Sequence, residues 1–304
     1  MSLKNRTMII GSNGLLGSAL VKNIKDPILH TREDADLLNR TATSMFILSE
    51  KPKTIINCGA KVGGVLANIK ENELFFRQNI QMNNNVMETA QYIGVENFVS
   101  ILSTCIFPND GVSYPLTADQ IDNGRPHDSN SGYSYAKRLL YYSTKMYRNF
   151  TQKNWISIIP TNIFGENDNF NLDSSHLIPA LIRKAYETSI SGGDFIVWGD
   201  GTPLRQFIYS DDLSKMILYA IDNWKKETPF MAVNETEYSI KDVATIIADR
   251  FNILNKMKFD TSFPNGQYKK TASSDYKDFP FTSLEEGLNK TIDWFIINNK
   301  NIRK

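Results

Sequence analysis

Residues 7–10 (TMII) run directly into Gly11-Ser-Asn-Gly14-Leu-Leu-Gly17, and an amphipathic stretch over 15–25 follows. A strand, a glycine-rich turn and a helix in this order leave few folds open. Gly11 permits the tight turn, Gly14 lets the backbone approach a pyrophosphate, and Gly17 lets the helix pack close to the sheet. The free N–H groups at the start of such a helix face the anion. A glycine triplet alone could be a plain turn, but its place between strand and helix makes it a phosphate cradle.

The first two-thirds of the chain keep that alternation. Strands are expected at 27–30, 54–58, 98–103 and 155–160, with helices at 71–93 and 133–150. Strands alternating with helices predict an α/β fold: a Rossmann-type doubly wound parallel sheet with helices on both faces. After Pro160 the rhythm changes. Residues 161–176 read as a polar loop, 177–188 as a helix, Phe195–Trp198 as a strand, 207–209 and 213–224 as strand and helix, and 243–251 and Leu284–Asn298 as late helices. The expected organisation is a dinucleotide-binding domain (1–162 plus 206–232) and a smaller α/β substrate domain (163–205 plus 233–304). The cleft should lie between them at the carboxyl ends of the strands. The polar excursion over 109–132 is either a lid or a surface loop.

At 304 residues, with 41% hydrophobic and 22% charged residues, the chain reads as a soluble globular protein. A net charge of +1 gives no global field toward nucleic acid or membrane. No apolar run is long enough to span a bilayer, and an N-terminus leading directly into a strand predicts no signal peptide. Two cysteines, Cys58 and Cys105, are too few for a disulfide framework and suit a reducing, cytoplasmic setting. No cluster has metal-site spacing.

The second chemical signal is Tyr133-Ser-Tyr-Ala-Lys137. Positions i and i+4 share a helix face, so Lys137 can sit near the Tyr133 hydroxyl and is expected to lower its pKa. Ser103, at a strand end, can bond the same substrate oxygen. When a ketone is reduced by hydride, its oxygen becomes an alkoxide that Ser103 and Tyr133 can steady and Tyr133 can protonate. The tyrosine-rich helix could instead form an interface stripe. After the second strand, Arg32 could hold a 2′-phosphate and select NADP, whereas Glu33 would read a 2′-hydroxyl and select NAD; Arg32 is favoured.

The GxxGxxG spacing is similar to that of the extended short-chain dehydrogenase/reductase superfamily. Residues 57–60 (NCGA) match the segment after its fourth strand, which lies along the cofactor, and Asn79 matches a position supporting it. GAKVGGVLAN (59–68), STCIFP (103–108), YSYAK (133–137), PTNIFGENDNF (160–170), SSHLIPALIRK (174–184) and VWGDGTPLRQF (197–207) then follow in order. In these strings the whole chain resembles the GDP-L-fucose synthase family. That family epimerises C3 and C5 beside a C4 ketone and then reduces C4 with NADPH.

The resemblance implies Ser103, Cys105, Tyr133, Lys137 and His176 as catalytic residues, with Cys105 as base and His176 as acid. A thiol and an imidazole both titrate within reach of neutral pH. It implies NADP contacts at Gly11, Asn13, Gly14, Leu15, Gly17, Arg32, Ala60, Lys137, Pro160, Asn162, Ile163 and His176. It places substrate contacts at Asn162, Lys184, Trp198, Arg205 and Lys270. A homodimer joined through helices 71–93 and 133–150 is implied as well. Lys184 stands where relatives have arginine, and Ser12-Asn13 stands where some have a basic residue. The partner would be a GDP-4-keto-6-deoxy sugar. A C4-reductase-only enzyme acting on a GDP-4-keto-6-deoxy-heptose, a UDP-sugar 4-epimerase retaining NAD, and a nucleotide-sensing protein with a dead site are the alternatives. Cys58, His30 and His127 read as structural.

Overall fold

The computed structural model describes residues 6–263, 267–300 and 302. Its main sheet comprises β1 (Thr7–Ile10), β2 (Ile28–His30), β3 (Thr54–Asn57), β4 (Asn97–Ile101), β5 (Asn154–Pro160) and β9 (Phe230–Ala232). The order is β2-β1-β3-β4-β5-β9 and all pairings are parallel. Helices α1 (Leu15–Asn23) and α7 (Ser210–Asn223) cover one face. The other is covered by α2 (Arg40–Glu50), α4 (Asn72–Tyr92) and α5 (Ser131–Thr151). Strands buried on both faces explain the unbroken apolar runs of β1 and β3.

The chain leaves β1 toward β2 and returns to the opposite side of β1 at β3, so the switch point lies between β1 and β3. Helix α2, absent from the sequence reading, makes that return. Asn39 caps it, its side chain accepting from the Ala42 N–H. No further strand lies beyond β2 among the described residues. The 57–60 segment therefore follows the third strand of this chain rather than a fourth.

A second core is built by α6 (Leu177–Ser191), α8 (Ile240–Arg250) and α9 (Leu284–Asn298), with a short α3 (Val65–Lys70) standing ahead of α4. Its strands are short: β6 (Asn162–Phe164), β7 (Phe195–Trp198), β8 (Leu204–Tyr209), β10 (Glu237–Ser239), β11 (Met257–Asp260) and β12 (Lys269–Lys270). β8 pairs with β6, β10 and β12, and β7 with β11. β6 lies inside the stretch read as loop; its register with residues 207–209 is set some 45 positions away along the chain.

The 109–132 excursion is docked. Leu116 and Ile121 are buried in the main core. The Leu116 N–H donates to the Thr271 carbonyl (2.8 Å), and the Ser273 N–H donates to the Leu116 carbonyl (2.9 Å).

Candidate active site

Gly11 has φ +73°, and the N–H groups of Gly11 and Ser12 donate to the His30 carbonyl at 3.0 and 2.9 Å. A Cβ on Gly17 would stand 2.1 Å from the Gly11 carbonyl oxygen, so only glycine lets α1 begin this close to the turn. Gly14 begins α1 with no side-chain cap, which leaves the first-turn N–H groups to an incoming anion. Asn13 is exposed on the turn and Leu15 is half-buried behind it.

Buried asparagines fix the opposite wall. Asn57 Oδ1 accepts the Gly59 N–H (3.1 Å), and Asn57 Nδ2 donates to Asn83 (3.2 Å). Asn79 accepts the Lys61 N–H and donates to the Lys61 carbonyl, both at 3.0 Å. Helix α4 thus clamps the backbone on either side of Ala60, the support expected of Asn79. Each polar group finds a partner, as burial demands.

β4 delivers Ser103 and Cys105. Ser103 opens a 3₁₀ turn, its Oγ accepting the Cys105 N–H at 3.2 Å. The Cys105 sulfur receives two donors, Asn130 Nδ2 and Lys270 Nζ, each at 3.1 Å. Lys270, expected on the substrate, thus lies against the sulfur; its register partner across β12 and β8 is Arg205. Asn130 was not singled out in the sequence. It precedes α5, and its carbonyl accepts from Ser134 (2.9 Å). Its place three residues before Tyr133 was the available signal.

Tyr133 and Lys137 share the inner face of α5. Lys137 Nζ lies 5.6 Å from the Tyr133 ring centre and donates to the Ile101 carbonyl at 2.7 Å. Phe75 of α4 packs edge-on against Tyr133, ring centres 6.4 Å apart. The expectation that Lys137 lowers the tyrosine pKa does not hold. Burial, then the charge of Cys105, pushes the phenol well above its ordinary range. Lys137 itself is brought down to about 8 by burial, partly opposed by Cys58. Tyr133 therefore holds its proton firmly in this state, with Lys137 poised close to neutral pH.

The two thiols differ. Burial pushes Cys58 up to about 12, with only a weak opposing pull from Lys137. Burial also pushes Cys105 up, but the Lys270 charge and the hydrogen bonds from Ser103, Lys270 and Asn130 outweigh it, and the net direction is down. His30 is buried, its Nε2 bonded to the Ala35 carbonyl (3.0 Å), and His127 Nδ1 accepts the Ser129 N–H (3.1 Å). Both fit structural roles.

His176 stands at the N-terminal end of α6, with no capping bond from its side chain. The preceding Ser174 carbonyl accepts the Gly64 N–H at 2.9 Å. Gly63 lies against the Phe75 ring that touches Tyr133, so the 63–64 turn links His176 to the tyrosine wall. His176 is exposed, yet protein packed around its ring strips water from it and lowers its pKa. Pro160, Asn162 and Ile163 end β5 and form β6; Asn162 Nδ2 donates to the Gln206 carbonyl (2.7 Å).

Arg205 is half-buried, its Nη1 on the Leu204 carbonyl (2.7 Å), and burial lowers its pKa despite the nearby Cys105 and Tyr114. Lys184 and Trp198 form a separate group: Lys184 Nζ lies 4.4 Å from the indole centre, and Phe263 stacks on that indole at 4.3 Å. Arg32 is exposed just beyond β2, its guanidinium 3.1 Å from Asp36. Such a surface pair contributes only about 0–1 kcal/mol, so Arg32 can be redirected to a phosphate.

The glycine cradle, where a Cβ at Gly11 would crowd the Gly59 N–H (3.3 Å), fits a dinucleotide. The fold and this arrangement define an extended short-chain dehydrogenase/reductase. The profile of the NAD dependent epimerase/dehydratase family matches residues 7–234. A GDP-L-fucose synthase from Dictyostelium discoideum is 38% identical, with 99% of this chain and 98% of that protein covered. The crystal structure of a GDP-L-fucose synthetase from Naegleria fowleri bound to NADP superposes with a TM-score of 0.91 at 36% identity, covering 100% of this chain and 96% of that one. A GDP-6-OMe-4-keto-L-xylo-heptose reductase from C. jejuni has a TM-score of 0.89 over 98% and 99% of the two chains but 23% identity, and shows the fold alone. The chain belongs to the NAD dependent epimerase/dehydratase family and, within it, to the GDP-L-fucose synthase family.

Proposed function

We propose that the protein carries out NADPH-dependent 3,5-epimerisation and 4-reduction of a GDP-4-keto-6-deoxy sugar. One observation carries the reading. A thiol whose pKa is drawn down, Cys105, stands close enough to Tyr133 for its charge to act on the phenol. A base for carbon and an acid for oxygen thus share one pocket.

A proton beside the C4 ketone becomes acidic when the enolate oxygen is held. Ser103 and Tyr133 hold it, Cys105 removes the proton, and His176 returns one to the opposite side of the carbon. The lowered pKa of His176 makes its protonated ring the stronger donor. Gly11, Asn13, Gly14, Leu15, Gly17, Ala60, Pro160, Asn162 and Ile163 would line NADPH, with Arg32 on its 2′-phosphate and Lys137 on the nicotinamide ribose. When bound, NADPH supplies the hydride for C4. Tyr133 then gives its proton to the C4 oxygen, with Lys137 steadying the charge left on the phenol. Asn162, Arg205, Lys184 and Trp198 would hold the GDP-sugar.

The nucleotide part would span 1–162 plus 206–232 and the sugar part 163–205 plus 233–304. The exposed Phe76, Tyr92, Tyr135, Leu139, Met146 and Phe150 on α4 and α5 support a homodimer through those helices. Two free thiols suit a cytoplasmic setting.

The test is a panel of GDP-4-keto sugars in D₂O with NADPH oxidation followed. The expected result is NADPH consumption with deuterium at C3 and C5 of GDP-4-keto-6-deoxymannose. NADPH oxidation without incorporation would reduce the protein to a C4 reductase.

A further inference from the structure

We propose that Lys270, seconded by Asn130, acts on the sulfur of Cys105 rather than on the substrate's phosphates, holding it as the thiolate that takes the proton from carbon. The catalytic half of this statement rests on the function proposed above; the thiolate half does not.

The strand sets the direction. Successive side chains alternate, so Lys269 and Lys270 of β12 point to opposite faces. Lys269 pairs with Glu237 (2.9 Å). Lys270 is left on the inner face, with Nζ 3.1 Å from the sulfur. Asn130 brings its amide to the same sulfur from α5's side, also at 3.1 Å. Sulfur is a weak acceptor as a thiol and a good one as a thiolate, so two donors converging on it fit the charged form.

The cavity beside Cys105, walled by Phe107, Tyr114, His127, Asn130, Gln267 and Lys270, offers only about 10 Å³. That is room for at most one water on this side of the sulfur, so ammonium and sulfur meet directly. The titratable and charged groups around Cys105 are Lys270 on β12, Arg205 on β8, Tyr133 on α5, His127 on the turn before α5, and Tyr114 on the excursion. Lys270 is the charged one in direct contact with the sulfur.

The step balances. The C–H bond beside the ketone breaks, S–H forms on Cys105, and the electron pair moves to the carbonyl oxygen held by Ser103 and Tyr133. The transfer also neutralises the charge beside Tyr133, readying the phenol to donate later.

The experiment follows alkylation of Cys105 by iodoacetamide against pH on the NADP-loaded enzyme without sugar, located by peptide mass mapping. Lys270→Met should raise the alkylation midpoint by about one to two pH units, and Lys270→Arg should restore most of the difference. With GDP-4-keto-6-deoxymannose, Lys270→Met should slow deuterium exchange at C3 and C5 about 10- to 100-fold while KM stays within about threefold. An unchanged midpoint with a KM raised about tenfold would make Lys270 a phosphate contact and overturn the proposal. Should Lys270→Met fail to fold, Asn130→Ala decides: its midpoint should rise by a smaller amount, and an unmoved midpoint overturns the two-donor claim. A shifted midpoint in an enzyme whose wild type exchanges no deuterium would uphold the thiolate and sink the function proposed above.

Discussion

The ends of two adjacent strands, β3 and β4, each present a thiol to the same edge of the sheet, and the two are opposites. Cys58 follows β3 on the floor of the cradle, and burial drives its pKa to about 12. Cys105 follows β4, is just as closely surrounded, and moves the other way. Each has a lysine nearby. Lys137, beside Cys58, donates its hydrogen bond to the Ile101 carbonyl; Lys270 donates one to the Cys105 sulfur. A cation held off the sulfur is thus a weak lever against desolvation; one in contact with it, its charge first and then the hydrogen bonds from Ser103, Lys270 and Asn130, outweighs burial. The same distinction explains Tyr133, which has Lys137 as a neighbour yet keeps its proton.

The largest effect should come from replacing each sulfur in turn. Cys105→Ser should slow exchange at C3 and C5 on the order of 1,000-fold, the range for losing a general base, while Cys58→Ser leaves exchange within about threefold. Proton exchange into the sugar, followed by NMR in D₂O, reads this directly. Equal losses would erase the contrast between the strand ends. Alkylation sharpens it without substrate: near pH 7.5 iodoacetamide should modify Cys105 more than about 100-fold faster than Cys58, because the thiolate is the nucleophile.

The lysines offer the next comparison. Lys137 carries its charge below about 8 and loses it above. Its burial costs the ammonium on the order of 3 kcal/mol relative to water. The charge that steadies the Tyr133 phenolate is present at lower pH, so C4 reduction should fall as pH rises through about 8, approaching about tenfold per pH unit. Lys137→Met should remove that descending limb along with most of the rate. A limb that survived the substitution would belong to another group.

Much of the β3–β4 contrast was beyond a linear reading. The cradle, the parallel sheet and the Tyr133–Lys137 pair are local patterns, a few residues long, and were legible. Asn79 was legible through resemblance, its clamp on Lys61 only through the fold. Helix α2 was missed because only Thr43 and Ile47 are buried along it, leaving hardly any apolar period to read. β6 was missed because three residues need a distant partner to become a strand. Lys270 stood out as a cation, but 165 positions separate it from Cys105, and nothing short of the β12–β8 register says which atom it serves.

The smallest expected effect lies at the far edge of the cradle, away from both thiols. Arg32 is 82% exposed and, among the described residues, tied only to Asp36, with Glu33 exposed alongside it. A guanidinium released from so weak a pair loses little by turning to a 2′-phosphate, whereas Glu33 would repel that phosphate. Arg32→Ala should therefore raise KM for NADPH about tenfold, near 1.4 kcal/mol, and leave KM for NADH almost unchanged. Cys105 alkylation in the same variant should keep its wild-type midpoint, because β1 and β3 stand between β2 and β4 in the sheet. An equal rise for both cofactors would make Arg32 a structural tie for the 31–36 turn. A moved midpoint would mean that the two ends of the sheet edge are coupled, and the thiol contrast would then not be local.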